Sequence, residues 1–275
     1  MTSSFIIQPA KLDTETADLY IEVKSHGFSY VIIDNKLCLA LATYHWKMGT
    51  TDEQAAACIH QVIAEQPILL QTFNKVFVIY GYSQAILVPH QFMTGNENKA
   101  MLDLVFGDIR ESAISSDFID QQGIHNVYSV PSIVDTAIRR YFDSAKFSHL
   151  FSLLPRVIEG EGSHLYCIFN TGQLTLLLQK DGKLQAMQNF SYKTPEDAAY
   201  HLLNLCRSFE TGVKDVTVHL TGMIDAASAL YAELYKYFLN IFFEALPEEY
   251  EYPEKVTKHP AHYFSHLFAI AKCVS

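Results

Sequence analysis

The sequence predicts an α/β protein built from two copies of one βββαβα unit, and three observations predict it. Three short apolar runs separated by turn residues occur twice, each time followed by a capped helix and a continuous β-type run. Landmarks of different physical kinds keep their order and nearly their spacing: Gly27 and Gly172 lie 145 positions apart, Thr51 and Thr194 143, and Gly81 and Gly222 141. At roughly 150 residues per domain, a chain of 275 has the length of two domains. The period is too long for a solenoid. We place the halves at residues 1–146 and 147–275.

Each element has a local reason. After a polar N-terminal tail, residues 19–23 read as a strand, Ser25-His26-Gly27 as a break, and 28–33 as a second strand. Asp34-Asn35 signals a turn before a third strand over 37–46. Thr51 and Gln54 have capping-box spacing at the head of a helix that runs to about Glu65, with Pro67 just beyond it. Residues 75–80 form an unbroken β-type run bounded by Gly81, the pattern of a strand covered on both faces. The second half repeats the order with strands at 165–170, 173–179 and 184–192, turning at Thr171-Gly172 and at Lys180-Asp181-Gly182-Lys183. Thr194-Pro195-Glu196-Asp197 then supplies an N-cap, a first-turn proline and an acidic first turn for a helix to about Phe209. A buried strand at 216–220 ends at Thr221-Gly222. A looser parallel joins residues 127–130, Pro131 and a helix to about Phe142 with Pro260 and a helix over 261–273.

Composition narrows the function. An apolar fraction of 49% with 18% charged residues excludes a disordered chain. Twenty Lys and Arg against thirty Asp and Glu leave a net charge of −10, whose field repels a phosphate backbone, so nucleic acid is not an expected partner. The opening residues show no basic region and no continuous apolar run before Lys11, Asp13, Glu15 and Asp18, so no secretory signal is expected. The longest uncharged stretch, 76–96, contains Gly81, Ser83, Gln84, Pro89, His90, Gln91 and Gly95 and is too polar to span a bilayer. Cys38, Cys58, Cys167, Cys206 and Cys273 lie far apart and form no CxxC pair, which suits reduced thiols in a cytoplasmic protein.

The twice-repeated plan resembles the actin-like ATPase superfamily, whose two RNase H-like lobes enclose a cleft. The segments LYIEVKSHGFSYVII (19–33) and HPAHYFSHLFAIAKC (259–273) are similar to a family of unknown function found in Bacteroidetes and assigned an actin-like fold. More distant similarity is to the actin-like cytoplasmic components of type IV pilus assembly and type II secretion, some of which bind nucleotide while others act as scaffolds.

That resemblance implies where a nucleotide would sit. In actin-like ATPases the turn after the first strand of each half carries an Asp and glycines, because carboxylates hold hydrated Mg²⁺ and small residues let backbone N–H groups approach phosphate. Here the first turn is Glu22-Val23-Lys24-Ser25-His26-Gly27, with the carboxylate moved onto the strand. Asn170-Thr171-Gly172 replaces the second carboxylate by an amide, and Thr221-Gly222-Met223 keeps one glycine of the adenosine turn, with Met223 filling space. Glu22, Lys24, Ser25, Gly27, Asn170, Thr171, Gly172, Thr221 and Gly222 are therefore the cofactor-binding candidates if nucleotide binds. Otherwise the glycines serve only as tight turns.

Other constellations are weaker. His262 and His266 have the i, i+4 spacing of zinc ligands, with His259 nearby, but the HExxH glutamate is missing, so a packing helix is expected and metal is not. Ser83 follows Gly81-Tyr82 without the closing glycine of a nucleophile elbow. No GxxxxGK[ST] occurs, and Gly160-Glu161-Gly162 lacks the third glycine of a dinucleotide loop. Asp103, Asp108, Asp117 and Asp120 read as a solvated acidic face of a helix and loop, and residues 248–254 as an acidic surface loop. Tyr231, Tyr235, Tyr237, Phe238, Phe242 and Phe243 read as an aromatic helix with more apolar surface than one face buries, and so as an interface. The sequence thus reads as a non-catalytic scaffold or interaction module with degenerate nucleotide motifs, which binds a protein partner or itself. No catalytic residue is assigned and no cofactor is expected. The alternative is an ATP-binding or ATP-hydrolysing protein with an unorthodox site between the lobes.

Overall fold

A computed structural model describes residues 2–9, 12–93, 98–157 and 160–274. The chain separates into two compact units, Met1–Ser152 with Glu248–Val256, and Leu153–Pro247 with Thr257–Ser275.

The first unit begins with β1 (Thr2–Ile7), β2 (Asp18–Lys24), β3 (Gly27–Asp34), β4 (Leu37–His45), α1 (Asp52–Glu65) and β5 (Lys75–Tyr80). It continues with β6 (Ala85–Pro89), α2 (Asn98–Phe106), β7 (Ser112–Ile119), β8 (Ile124–Pro131), α3 (Ser132–Arg139), β9 (Lys146–His149) and α4 (Leu150–Leu153). Its main sheet has the order β1-β4-β3-β2-β5-β9, antiparallel from β1 to β2 and parallel from β2 to β9. The stretch expected as a polar tail therefore contains a strand: Phe5, Ile6 and Ile7 pair with Thr43, Ala42 and Leu41. Three consecutive β-formers suffice once an edge is there to receive them. The division expected at 146 and 147 falls at the start of β9, and the first unit runs on to Ser152.

The second unit carries β10 (Ser163–Asn170), β11 (Gln173–Lys180), β12 (Lys183–Ser191), α5 (Pro195–Ser208), β13 (Val216–Gly222), α6 (Ala229–Leu234) and β14 (Asn240–Phe243). After α7 (Glu254–Thr257) comes a short 3-10 turn (Ala261–Tyr263) and α8 (Ser265–Val274). The sheet order β12-β11-β10-β13-β14 repeats that of β4-β3-β2-β5-β9 strand for strand.

The likeness extends to side chains. Thr51 and Thr194 each close a complete capping box, Thr51 with Gln54 and Thr194 with Asp197. The helices they start bury Ala55, Ala56, Ile59, Val62 and Ile63, and Ala198, Ala199, Leu202, Leu205 and Cys206, two identical stripes at helical spacing. The β3–β4 register shifts between Ile32 and Ile33, and the β11–β12 register at the equivalent step between Leu178 and Gln179.

Register also corrects two landmarks. Lys24 pairs with Gly27 where Asn170 pairs with Gln173, so His26, not Gly27, stands at the position of Gly172. Val23 pairs with Tyr80 where Phe169 pairs with Gly222, and the Gly81 N–H donates to the Val23 carbonyl (2.8 Å) as the Met223 N–H donates to that of Phe169 (2.7 Å). Gly81 is therefore the counterpart of Met223. The duplication resides in strands and helix faces, and its glycines are shifted by one because each solves a local problem of its own half.

Between β5 and α3 the first unit inserts a separate sheet of order β6-β8-β7. Asp117, expected on a helix or loop, lies on β7, because Ala-Ile-Ser-Ser-Asp-Phe-Ile pairs antiparallel along β8. The uncharged stretch 76–96 divides into β5, β6 and a 3-10 turn, with 94–96 outside the described residues. The expected aromatic helix is likewise split: α6 ends at Leu234, and Phe242 and Phe243 lie on β14, parallel to β13. The acidic segment is more than a loop. Glu251 bridges to Leu37, accepting from the Cys38 N–H at 2.9 Å and donating to the Lys36 carbonyl at 2.8 Å.

Candidate functional site

In the first unit the turn from β2 to β3 is occupied by its own side chains. Glu22 projects from β2 with 2% exposure, and Lys24, 8% exposed, places Nζ 2.7 Å from Glu22 Oε2. Gly81 makes room for this lysine, since a β-carbon there would come within 2.8 Å of Lys24 Cγ. Ser25 and His26 are held from behind by Trp46, whose indole N–H donates to the Ser25 carbonyl (2.7 Å) and whose backbone N–H donates to that of His26 (3.2 Å). Gly27 sits under the Tyr44 carbonyl, 3.0 Å from where its β-carbon would be.

In the second unit Asn170, Thr171 and Gly172 form the corresponding turn, with Gly172 at φ +69°. The Tyr192 hydroxyl donates to the Asn170 carbonyl (3.0 Å) and its N–H to that of Gly172 (3.1 Å), which ties the turn to the end of β12. Thr221 is fully buried; its hydroxyl donates to the His262 carbonyl and lies within 2.7 Å of Ser265 Oγ. Gly222 has φ +82°, and a β-carbon on it would meet the Phe169 carbonyl oxygen at 2.1 Å. The structure thus joins Glu22 to Lys24, ties Asn170 and Gly172 to Tyr192, and spends Thr221 on the start of α8.

Two polar networks escaped the sequence reading. Asp117 Oδ2 accepts from Ser152 Oγ (2.6 Å), Ser148 Oγ (2.8 Å) and the His149 backbone N–H (2.9 Å). The His149 ring is fully buried: Nε2 donates to the Tyr82 carbonyl (3.0 Å) and Nδ1 accepts from the Phe151 N–H (3.1 Å). Burial pushes this imidazole down to about 4, so it is neutral. Ser, His and Asp are neighbours here, yet both ring nitrogens are committed to backbone and the serine faces the carboxylate. The His149 imidazole is therefore not available as a general base for that serine. Ser83 stands apart on an exposed turn. In the second unit Glu244, His219 and His164 form a chain: Oε1 lies 2.6 Å from His219 Nδ1, and His219 Nε2 lies 3.0 Å from His164 Nδ1. Residues far apart in sequence build both networks, and no local spacing announces them.

The histidines near the C-terminus are separated by structure. His262 lies in the 3-10 turn, donates from Nε2 to the Ile224 carbonyl (2.6 Å) and packs on Phe243, while His266 is on α8. The i, i+4 pair does not share one helix face, because α8 begins only at Ser265. Among the described residues no group of three His, Cys, Asp or Glu side chains is placed to hold a metal ion.

Residues 9–241 match a family model described as a protein of unknown function, DUF3822. The chain belongs to the DUF3822 family. No curated protein matches this DUF3822 chain. Among solved structures it is similar to a Bacteroides thetaiotaomicron protein with actin-like ATPase fold and unknown function, at 15% identity over 94% of this chain and 96% of that one, with a TM-score of 0.76. It is also similar to the PilM-PilN type IV pilus biogenesis complex, at 13% identity over 94% of this chain and 98% of the other, with a TM-score of 0.64. The cytoplasmic domain of EpsL, an inner membrane component of the type II secretion system of Vibrio cholerae, aligns at 11% identity over 85% and 91% of the two chains, with a TM-score of 0.46. The DUF3822 chain has the actin-like ATPase fold.

Its surface carries apolar side chains that its own units leave uncovered. In the second unit Tyr235 is 62% exposed and Leu239 67%, both between α6 and β14, and Phe242 on β14 is 56% exposed. In the first unit Phe92 in the 3-10 turn after β6, Leu104 and Val105 on α2, and Phe118 on β7 are exposed. No described helix is long and apolar enough to cross a membrane. All five cysteines are free thiols, and burial pushes that of Cys38 up to about 12.

Proposed function

We propose that this DUF3822 protein is a non-catalytic scaffold of actin-like fold that binds a protein partner in the cytoplasm and does not turn over nucleotide. The observation that carries the reading is the Glu22–Lys24 pair. The carboxylate nearest the position where actin-like ATPases hold hydrated Mg²⁺ is neutralised by the chain's own lysine at 2.7 Å and is almost fully buried. A cation would have to displace Lys24 and rehydrate Glu22, both costly in a desolvated site. Asn170 brings no charge to a metal, and Thr221 is engaged by His262 and Ser265. The exposed aromatics around α6 and β14 supply the kind of surface that protein partners cover. PilM, a protein of the same fold, occurs in a complex with PilN. The free thiols agree with a reducing compartment.

Isothermal titration with MgATP, MgADP and AMP-PNP tests this reading. Absence of saturable heat at millimolar nucleotide is the expected result. Micromolar binding that disappears in the double variant Glu22→Gln, Lys24→Met would replace the scaffold by an ATP-binding protein with an unorthodox site. Gly222 is not a usable probe, because any side chain there collides with Phe169 before it reaches a ligand.

A further inference from the structure

Because the two units are copies, a difference between equivalent edges is informative. In the first unit β4 is not the border of its sheet: β1 lies antiparallel along it, covering Leu41 to His45. The equivalent stretch of β12 is Met187 to Ser191, since β11 and β12 repeat the register and bulge of β3 and β4. Among the described residues no strand lies outside β12.

This border lacks the usual protection. β12 is nine residues long, and after Lys183 at its start the residues Leu184-Gln185-Ala186-Met187-Gln188-Asn189-Phe190-Ser191 include no charge and no proline. Soluble proteins normally blunt such a strand with lysine, proline, brevity or a covering segment. At the opposite borders of the two main sheets, β9 and β14 have only four residues each. A long strand border that no neighbouring strand covers is a template for another strand.

We propose that the outer edge of β12 pairs antiparallel with β12 of a second copy of this chain, about a two-fold axis through Asn189. The segment is self-complementary about that point. Met187 falls opposite Ser191, Gln188 opposite Phe190, and Asn189 opposite itself, so every facing pair is uncharged and none sets like charges together. The antiparallel sense and the uncharged character match what β1, Thr-Ser-Ser-Phe-Ile-Ile, brings to β4. The two copies thereby join their five-stranded sheets into one. This deepens the scaffold reading by naming one partner, yet the two fail separately: a monomer leaves the nucleotide result untouched, and nucleotide binding leaves the dimer untouched.

The test is sedimentation equilibrium of the full chain, with two variants. Wild type is expected to dimerise at micromolar concentration. Gln188 is exposed, so Gln188→Lys leaves the far-ultraviolet spectrum and melting temperature unchanged. It places two lysines diagonally across the axis and is expected to weaken the dimer about tenfold or more. Under mild oxidation Asn189→Cys is expected to give an intermolecular disulfide between the two copies at position 189, identified by mass spectrometry. A wild type that stays monomeric at hundreds of micromolar overturns the proposal. So does a dimer that Gln188→Lys leaves unweakened, or one in which the position-189 disulfide fails to form.

Discussion

The carbonyl oxygen of Phe169 stands 2.1 Å from where a β-carbon on Gly222 would be. Both residues belong to the paired ends of β10 and β13, and the same carbonyl accepts the Met223 N–H at 2.7 Å. The close approach of the two strand ends leaves no room for a side chain at Gly222.

Two glycines at nearly the same φ separate steric from conformational cost. Gly49 is at φ +83° with nothing within 4 Å of an added β-carbon, whereas Gly222 at φ +82° has the Phe169 backbone there. Gly49→Ala is expected to cost about 1–2 kcal/mol, the left-handed penalty alone. Gly222→Ala is expected to cost several kcal/mol more or to prevent folding, because strand backbone must move. Urea unfolding of both variants measures the difference, and equal losses would contradict it.

The Glu22–Lys24 pair is expected to behave as a desolvated unit. Lys24→Met leaves the carboxylate buried beside an apolar chain and should cost about 3–5 kcal/mol. The double variant Glu22→Gln, Lys24→Met removes both charges and should recover a large part of that loss. A double-mutant cycle by urea unfolding reads the coupling, and additive losses would show that the charges do not depend on one another.

His149 gives stability an acid limit. Its folded pKa, about 4, lies below the unfolded value of about 6.5, so on acidification the unfolded chain takes up a proton that the folded chain refuses. The fold therefore loses stability as pH falls from about 6.5 to 4, by up to about 3 kcal/mol from this group. Burial lowers His262 as well and adds to the same trend. His149→Gln should lower stability at neutral pH and remove about one proton from the pH dependence of unfolding. An unchanged slope would mean that His149 is already charged.

The two capping boxes should contribute alike. Thr51→Ala and Thr194→Ala are each expected to cost about 1 kcal/mol, because each removes the acceptor for an N–H in the first helical turn. Serine at either site should restore most of the loss, and thermal or urea unfolding checks both.

How much of this was legible follows from how local each signal is. The capped helices at Thr51 and Thr194, the hairpin at Asp181-Gly182 and the run Lys75–Tyr80 are written in neighbouring residues, and they lie where the sequence puts them. β1 was hidden because Phe5, Ile6 and Ile7 form a strand only against β4. β14 was hidden for a similar reason: its aromatics satisfy helix and strand patterns equally until β13 offers a partner. The candidate turns were located correctly in sequence, but their chemistry was not readable. Nothing adjacent to Glu22 reveals that Lys24 turns back over Gly81 to neutralise it, or that Thr221 is spent on residues about forty positions away.

The sequence by itself determined the doubled βββαβ order and the helix starts, because periodicity, caps and turns act over a few residues; the actin-like plan came from its resemblance to a known family. Only the tertiary structure decided which glycines are equivalent, where Asp117 and His149 meet, and which sheet borders are covered. Those depend on strand register and long-range pairing, which bring together side chains that no short window of sequence contains.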